Sequence, residues 1–296
     1  MTAEQKQPML VLRFDVESAA ALHAPSDRTD AKWAEWIEES LAGVASICRV
    51  LNELKARASF FMVGELLARA GRRYAQLLAG NERFNIGNHT YTHMWILGDD
   101  TGCFRDELLR TTDLIERHFA FVPIGFTAPG CFHCGLRGRA AQLKVLWEGG
   151  YRHVTTDGAA GPQAPPNSPA PFTQPYWYTD EGFPEILEVP LTGWHCNMLF
   201  NTGHQNDGWR PAPGLPDGTV VERLPRTVEE GFAIRKGELE YAIENRLVYS
   251  PCMHPWSLYR FDPELKHLRR LIEVAMDRGV PCVNCRDVYS LLAAKS

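Results

Sequence analysis

The stretch MLVLRFDVES (residues 9–18) begins as an apolar run and ends on two carboxylates, Asp15 and Glu17, set two residues apart. Read with the two-residue period of an extended chain, Met9–Phe14 is a strand, and Asp15 and Glu17 emerge on one side where it runs out. The pattern recurs downstream. Short runs rich in β-branched and aromatic residues stand at Ala58–Val63, Phe84–Asn88, Ile124–Thr127, His153–Thr156, Ile186–Pro190, Leu247–Cys252 and Val280–Asn284. Between them lie segments of helical period: Lys32–Lys55, Gly64–Leu78, Arg105–Phe119, Leu136–Trp147, Val228–Asn245 and Pro263–Arg278. Strands alternating with helices predict an α/β chain with a parallel sheet, and seven or eight of them predict a barrel.

With 296 residues, 45% of them hydrophobic, the chain can bury a full core, and a single catalytic domain over residues 1–296 is expected. Residues 158–227 break the rhythm. They open with GAAGPQAPPNSPAPFTQP, too proline-rich for a helix or central strand, and continue through aromatic segments, as an insertion that shapes a barrel mouth would. A net charge of −5 without blocks of like charge leaves no footprint for nucleic acid. No apolar stretch is long enough for a membrane span and no basic leader precedes Met9, so a cytoplasmic protein is expected, with self-association into a homo-oligomer left open. The eight cysteines read as free, buried thiols, including the C-x-x-C pairs Cys131/Cys134 and Cys282/Cys285, which stand too far apart for an ordinary zinc ribbon.

Two carboxylates held this close call for a cation between them or a raised pKa. The segment NHTYTHMW (residues 88–95) supplies His89 and His93, four residues apart, which a helical turn would bring to one face within chelating reach. A third histidine, His254 in YSPCMHPW (residues 249–256), follows another apolar run and is held extended by Pro255. Two imidazoles and one carboxylate leave an open position on a metal, the arrangement of a catalytic rather than a sealed structural site.

RFDVES, HTYTH, GFTAPG (residues 125–130), the Asp157 of VTTDG and CMHPW come in the order and approximate spacing of the motifs of the polysaccharide deacetylase superfamily, the NodB-like carbohydrate esterases. The chain resembles that family from about Met9 to Leu292, and its D-x-E first motif resembles the D-x-D/E of cytoplasmic branches. The resemblance implies a distorted (β/α)7 barrel and a metal-dependent hydrolase that removes an acyl group, acetyl or formyl, from the nitrogen of an amino sugar or sugar conjugate. It implies a divalent metal, zinc foremost, on Glu17, His89 and His93, with Asp15 as general base, or as a ligand in place of that role. It also implies His254 as general acid and Asp157 as the group that steadies His254. Substrate contacts are expected from Thr127, Pro129, Gly130 and Trp256, with backbone N–H groups near Thr127 to Gly130 holding the oxyanion.

Two departures stand out. Thr127 occupies the place of the family's third-motif arginine, for which Arg137 or Arg139 could substitute, and Pro255 follows His254 where an aspartate is common. Tyr176, Trp177, Trp194 and Trp209 could stack on sugar or form the insertion's own core, while His195 and His204 read as hydrogen-bonded loop residues. Two rival readings remain: a cyclic ureide or imide hydrolase on the same barrel, and a carbohydrate-binding relative without catalysis.

Overall fold

The computed structural model describes residues 7–23, 25–98, 100–159, 161, 167–168, 171–200, 202 and 224–294. The first strand is broken into β1 (Met9–Val11) and β2 (Arg13–Val16), followed by α1 (Asp30–Glu53), β3 (Ala58–Met62), α2 (Gly64–Leu78), β4 (Phe84–Asn88), α3 (Thr101–Phe119), β5 (Gly125–Phe132), α4 (Ala140–Glu148) and β6 (His153–Asp157). The described insertion supplies β7 (Asn167–Ser168), β8 (Tyr176–Tyr178), β9 (Phe183–Glu188), β10 (Gly193–Trp194) and α5 (Cys196–Leu199). The chain ends through α6 (Val228–Glu244), β11 (Val248–Tyr249), α7 (Pro255–Phe261), α8 (Lys266–Asp277), β12 (Cys282–Val283) and α9 (Cys285–Ala293).

Seven strands pair in the order β2-β3-β4-β5-β6-β9-β8, parallel from β2 to β9, and β8 joins antiparallel. The barrel closes through less regular segments. Thr192 N–H donates to Ser250 O at 3.0 Å, Cys196 N–H to Cys252 O at 3.2 Å, and Asp15 N–H to Met253 O at 2.9 Å, so the chain after β11 bridges the insertion and β2. β1 lies between β11 and β12. This is the expected α/β barrel, distorted where it closes.

The period of two along β1 and β2 sorts the side chains. Leu10, Leu12, Phe14 and Val16 face the helix layer, where they pack in one core with Trp36, Leu41 and Val44 of α1. Val11 instead joins Phe61, Leu187, Val189, Cys285 and Val288 in a second cluster inside the barrel. Cys285 and Val288 belong to α9, which the strand-helix pattern alone did not predict. α9 plugs the barrel floor, starts on a reciprocal Asn284–Asp287 capping box and is clamped by a bidentate Arg57–Asp287 pair at 2.6 and 2.8 Å. α7, also unpredicted, lies so close to α1 that a Cβ on Gly43 would meet Pro255 O at 2.4 Å. All eight cysteines are free, so neither C-x-x-C pair is disulfide-bonded.

Candidate metal centre

Above the apolar floor the inward side of β2 turns polar, in the order Arg13, Asp15, Glu17, all three buried. Glu17 sits at the mouth, one step past the strand. Its Oε2 is 2.7 Å from His93 Nε2 and 3.9 Å from His89 Nε2, and the three donor atoms all lie within 4.8 Å of one another. Trp256 Nε1 donates to Glu17 Oε1 at 3.1 Å, which fixes the carboxylate's rotation.

The two histidines meet, but not on a helical turn as their spacing suggested. His89 follows β4 directly, and the chain then bends through Thr90 and His93, both left-handed at φ 61° and 63°. Glu107 of α3 holds the bend: its Oε2 accepts from Tyr91 N–H and Thr92 N–H at 2.8 and 2.7 Å, and its Oε1 from the Thr92 hydroxyl at 3.0 Å. The imidazoles stand edge to face with centroids 4.9 Å apart.

The residues fit a metal. His89 Nδ1 lies 2.9 Å from Thr127 O, which leaves Nε2 as the lone-pair nitrogen, and that Nε2 is buried without a hydrogen-bond partner. Burial pushes His89 down to about 4, so it is neutral and able to ligate at pH 7. Burial works against charge on Glu17, yet His254 and His93 hold it well below the usual carboxylate range. A buried anion beside a neutral, unpartnered imidazole is the donor set a divalent cation completes.

Behind Glu17, Asp15 is paired through Oδ1 with Arg13, which is fully buried. Arg13 Nη2 also donates to Thr127 Oγ1 at 2.7 Å, and its guanidinium lies 5.2 Å from the Phe61 ring centroid. The arginine beside Asp15 therefore comes from the first strand, with Thr127 as its other hydrogen-bond partner. Arg137 stacks on Tyr176 at 4.0 Å instead, and Arg139 is an exposed residue at the start of α4. The signal for Arg13 was its place: a lone basic residue two before Asp15, on the same side of the strand.

His254 stands opposite, with Nε2 3.7 Å from Glu17 Oε1 and 4.0 Å from Asp15 Oδ2. Cys196 Sγ lies 3.1 Å from its Nδ1 and accepts from its backbone N–H at 3.2 Å. Burial opposes a charge on His254, but the Glu17 carboxylate and the hydrogen bond with Cys196 help hold it above the usual imidazole range.

Asp157 does not take the place beside His254 that the resemblance implied. Its Oδ2 accepts from the Tyr176 hydroxyl at 3.1 Å, in a network where Glu188 takes donors from Thr156, Asp157 N–H and Tyr178. Trp256 is likewise corrected from sugar contact to a buried support of Glu17, and Thr127 is buried under His89 and Arg13. Pro129 and Gly130 lie in a bulge of β5, where the pairing with β6 shifts between Thr127 and Phe132. Trp177 packs on Tyr289 and Trp194 is buried, so both are core; His204 and Trp209 lie outside the described residues. Sequence reasoning missed Trp95, which is 58% exposed two residues after His93 and lies against Gly130 and Phe132.

Residues 35–137 match the family model for Polysaccharide deacetylase, a span that holds His89, His93 and Thr127 but neither Asp15, Glu17 nor His254. No curated protein matches the chain. Among solved structures, one described as a polysaccharide deacetylase from Mycobacterium smegmatis is 21% identical with a TM-score of 0.67, over 100% of this chain and 93% of its own. A Pseudomonas aeruginosa structure described the same way is 16% identical with a TM-score of 0.68, covering 96% and 90%. PuuE allantoinase is 16% identical with a TM-score of 0.67, covering 98% and 91%. The resemblance read from the motifs is thus borne out for the matched span, and these structures share the barrel. Among the described residues, no helix is long and apolar enough to cross a membrane.

Proposed function

We propose that this chain is a metal-dependent hydrolase that removes an acyl group, acetyl or formyl, from the nitrogen of an amino sugar or sugar conjugate. The observation that carries the reading is the convergence of Glu17, His89 and His93 at one barrel mouth, with Asp15 and His254 on either side. A divalent metal on those three residues, zinc by donor type, supplies a Lewis acid and lowers the pKa of water. Asp15 takes the proton from the attacking water, and its pair with the buried Arg13 keeps the carboxylate aimed. His254 protonates the departing nitrogen from Nε2, its ring oriented by Cys196 on Nδ1. The bulge in β5 offers the backbone N–H of Gly130 toward the oxyanion, since Pro129 has none to donate. Trp95, exposed on the rim, offers a flat face for a sugar ring. Free thiols throughout the chain support a reducing compartment, and hence an intracellular N-acyl sugar.

The test is metal content and turnover of purified wild type beside His89→Ala and Asp15→Asn, on a panel of N-acetyl and N-formyl amino sugars with a cyclic ureide as control. His89→Ala is expected to lose metal and activity together. Asp15→Asn is expected to keep the metal while amine release falls at least 100-fold, about the share one general base contributes. Full metal occupancy in both variants, or ring opening without amine release in wild type, would reject the reading.

A further inference from the structure

The wall around His254 carries two donors, on His195 and Cys252, that deacylation leaves unused. His195, at the end of β10, and Cys252 and His254, after β11, each present one donor, and the three atoms lie within 4.8 Å of one another. Cys252 Sγ is 3.9 Å from His254 Nε2, and the rings of His195 and His254 are 4.5 Å apart between centroids. Tetrahedral zinc, with bonds of ~2.3 Å to sulfur and ~2.0 Å to nitrogen, sets a thiolate and an imidazole about 3.5 Å apart. Two further observations favour a ligand. His195 Nδ1 is buried with no hydrogen-bond partner, a costly state for a polar atom. The segments that carry the donors are also pinned together, by Cys196 N–H on Cys252 O at 3.2 Å.

We propose that His195, Cys252 and His254 form a second cation site, softer than the Glu17–His89–His93 site and selective for thiophilic ions such as zinc or cadmium. Thiolate with imidazole is the donor set such ions prefer, whereas the first site offers a carboxylate and no sulfur. The two sites share a wall, because His254 Nε2 lies 3.7 Å from Glu17 Oε1. A cation in the second site therefore occupies the nitrogen assigned to the leaving group, so surplus zinc acts as an inhibitor.

Binding rather than turnover reports this site, so its failure is separable from failure of the deacylase reading. Full-length protein stripped by a chelator is titrated with Co²⁺ and followed by absorbance. Two equivalents are expected, one of them accompanied by a near-ultraviolet thiolate-to-cobalt charge-transfer band. Cys252→Ser is expected to lose that band and one equivalent while keeping the other, which also reports that it folds. His195→Gln gives the same loss without touching a thiol, and His89→Ala keeps the band. A single equivalent without the band in wild type, a band that persists in Cys252→Ser, or a His195→Gln variant that binds like wild type would overturn the site.

Discussion

At the scale of single residues, the pair that decides the site is Arg13 and Asp15. Burial works against the charge on Arg13 more strongly than any one neighbour favours it, but Asp15 leads a set of neighbours that together outweigh it, so neither ion stands alone in the barrel. Arg13 Nε and Nη1 are buried without partners, which shows how much rests on the one fork that bonds Asp15 and Thr127. Removing one member of such a pair strands the other. Arg13→Met is therefore expected to lower unfolding stability by about 3–5 kcal/mol in urea melts, with loss of turnover. Adding Thr127→Arg to that variant should recover part of both, since Thr127 Oγ1 lies 2.7 Å from Arg13 Nη2 and a guanidinium from that strand would return to the same place. Were the double variant no better than Arg13→Met, Thr127 and Arg13 would not be exchangeable sources of the same charge.

At the scale of elements, two irregularities do what regular strands and helices could not. The bend after β4 brings His89 and His93 together beside Glu17 through left-handed residues and the Glu107 clamp, and the bulge in β5 lifts Pro129 and Gly130 out of the ladder. Gly130 has φ 76°, and a Cβ there would lie 2.5 Å from the Trp95 ring. Left-handed backbone costs a residue with a Cβ about 1–2 kcal/mol, and the indole, being largely exposed, can swing away. Gly130→Ala is accordingly expected to destabilise the chain by about that amount, seen as a lower urea midpoint, and to shift the Trp95 contribution to fluorescence. If Trp95 is the sugar platform, KM rises in the same variant while kcat changes little; an unchanged KM would remove Trp95 from substrate binding.

At the scale of the whole molecule, a polar column runs up a barrel whose floor is dry, and this sets the response to pH. His153 is fully buried at the floor with neither ring nitrogen partnered, and burial pushes it down to about 3. His89 is pushed down to about 4. In the unfolded chain both titrate near ~6.5, so below that pH the unfolded state takes up protons that the folded state refuses. Their contribution to stability is present above ~6.5 and is lost as pH falls toward 3–4, by about 1.4 kcal/mol per pH unit for each group. Unfolding of chelator-treated protein should follow that slope, and His153→Leu should flatten it. A variant with the same pH dependence as wild type would show that His153 finds a way to protonate within the fold. The sequence by itself determined the alternation of strands and helices, because the periods of two and 3.6 are set by backbone geometry. It also determined the five side chains that meet at the mouth, because carboxylates and imidazoles at strand ends have few other uses in a buried core. It could not determine that Arg13 pairs with Asp15 and Thr127, that Cys196 rather than Asp157 backs His254, that Trp256 serves Glu17, or that α9 closes the floor. Each of those is a contact between segments distant in sequence or a choice between rotamers of neighbouring residues, and only barrel closure, which fixes which inward side chains share a layer, settles them.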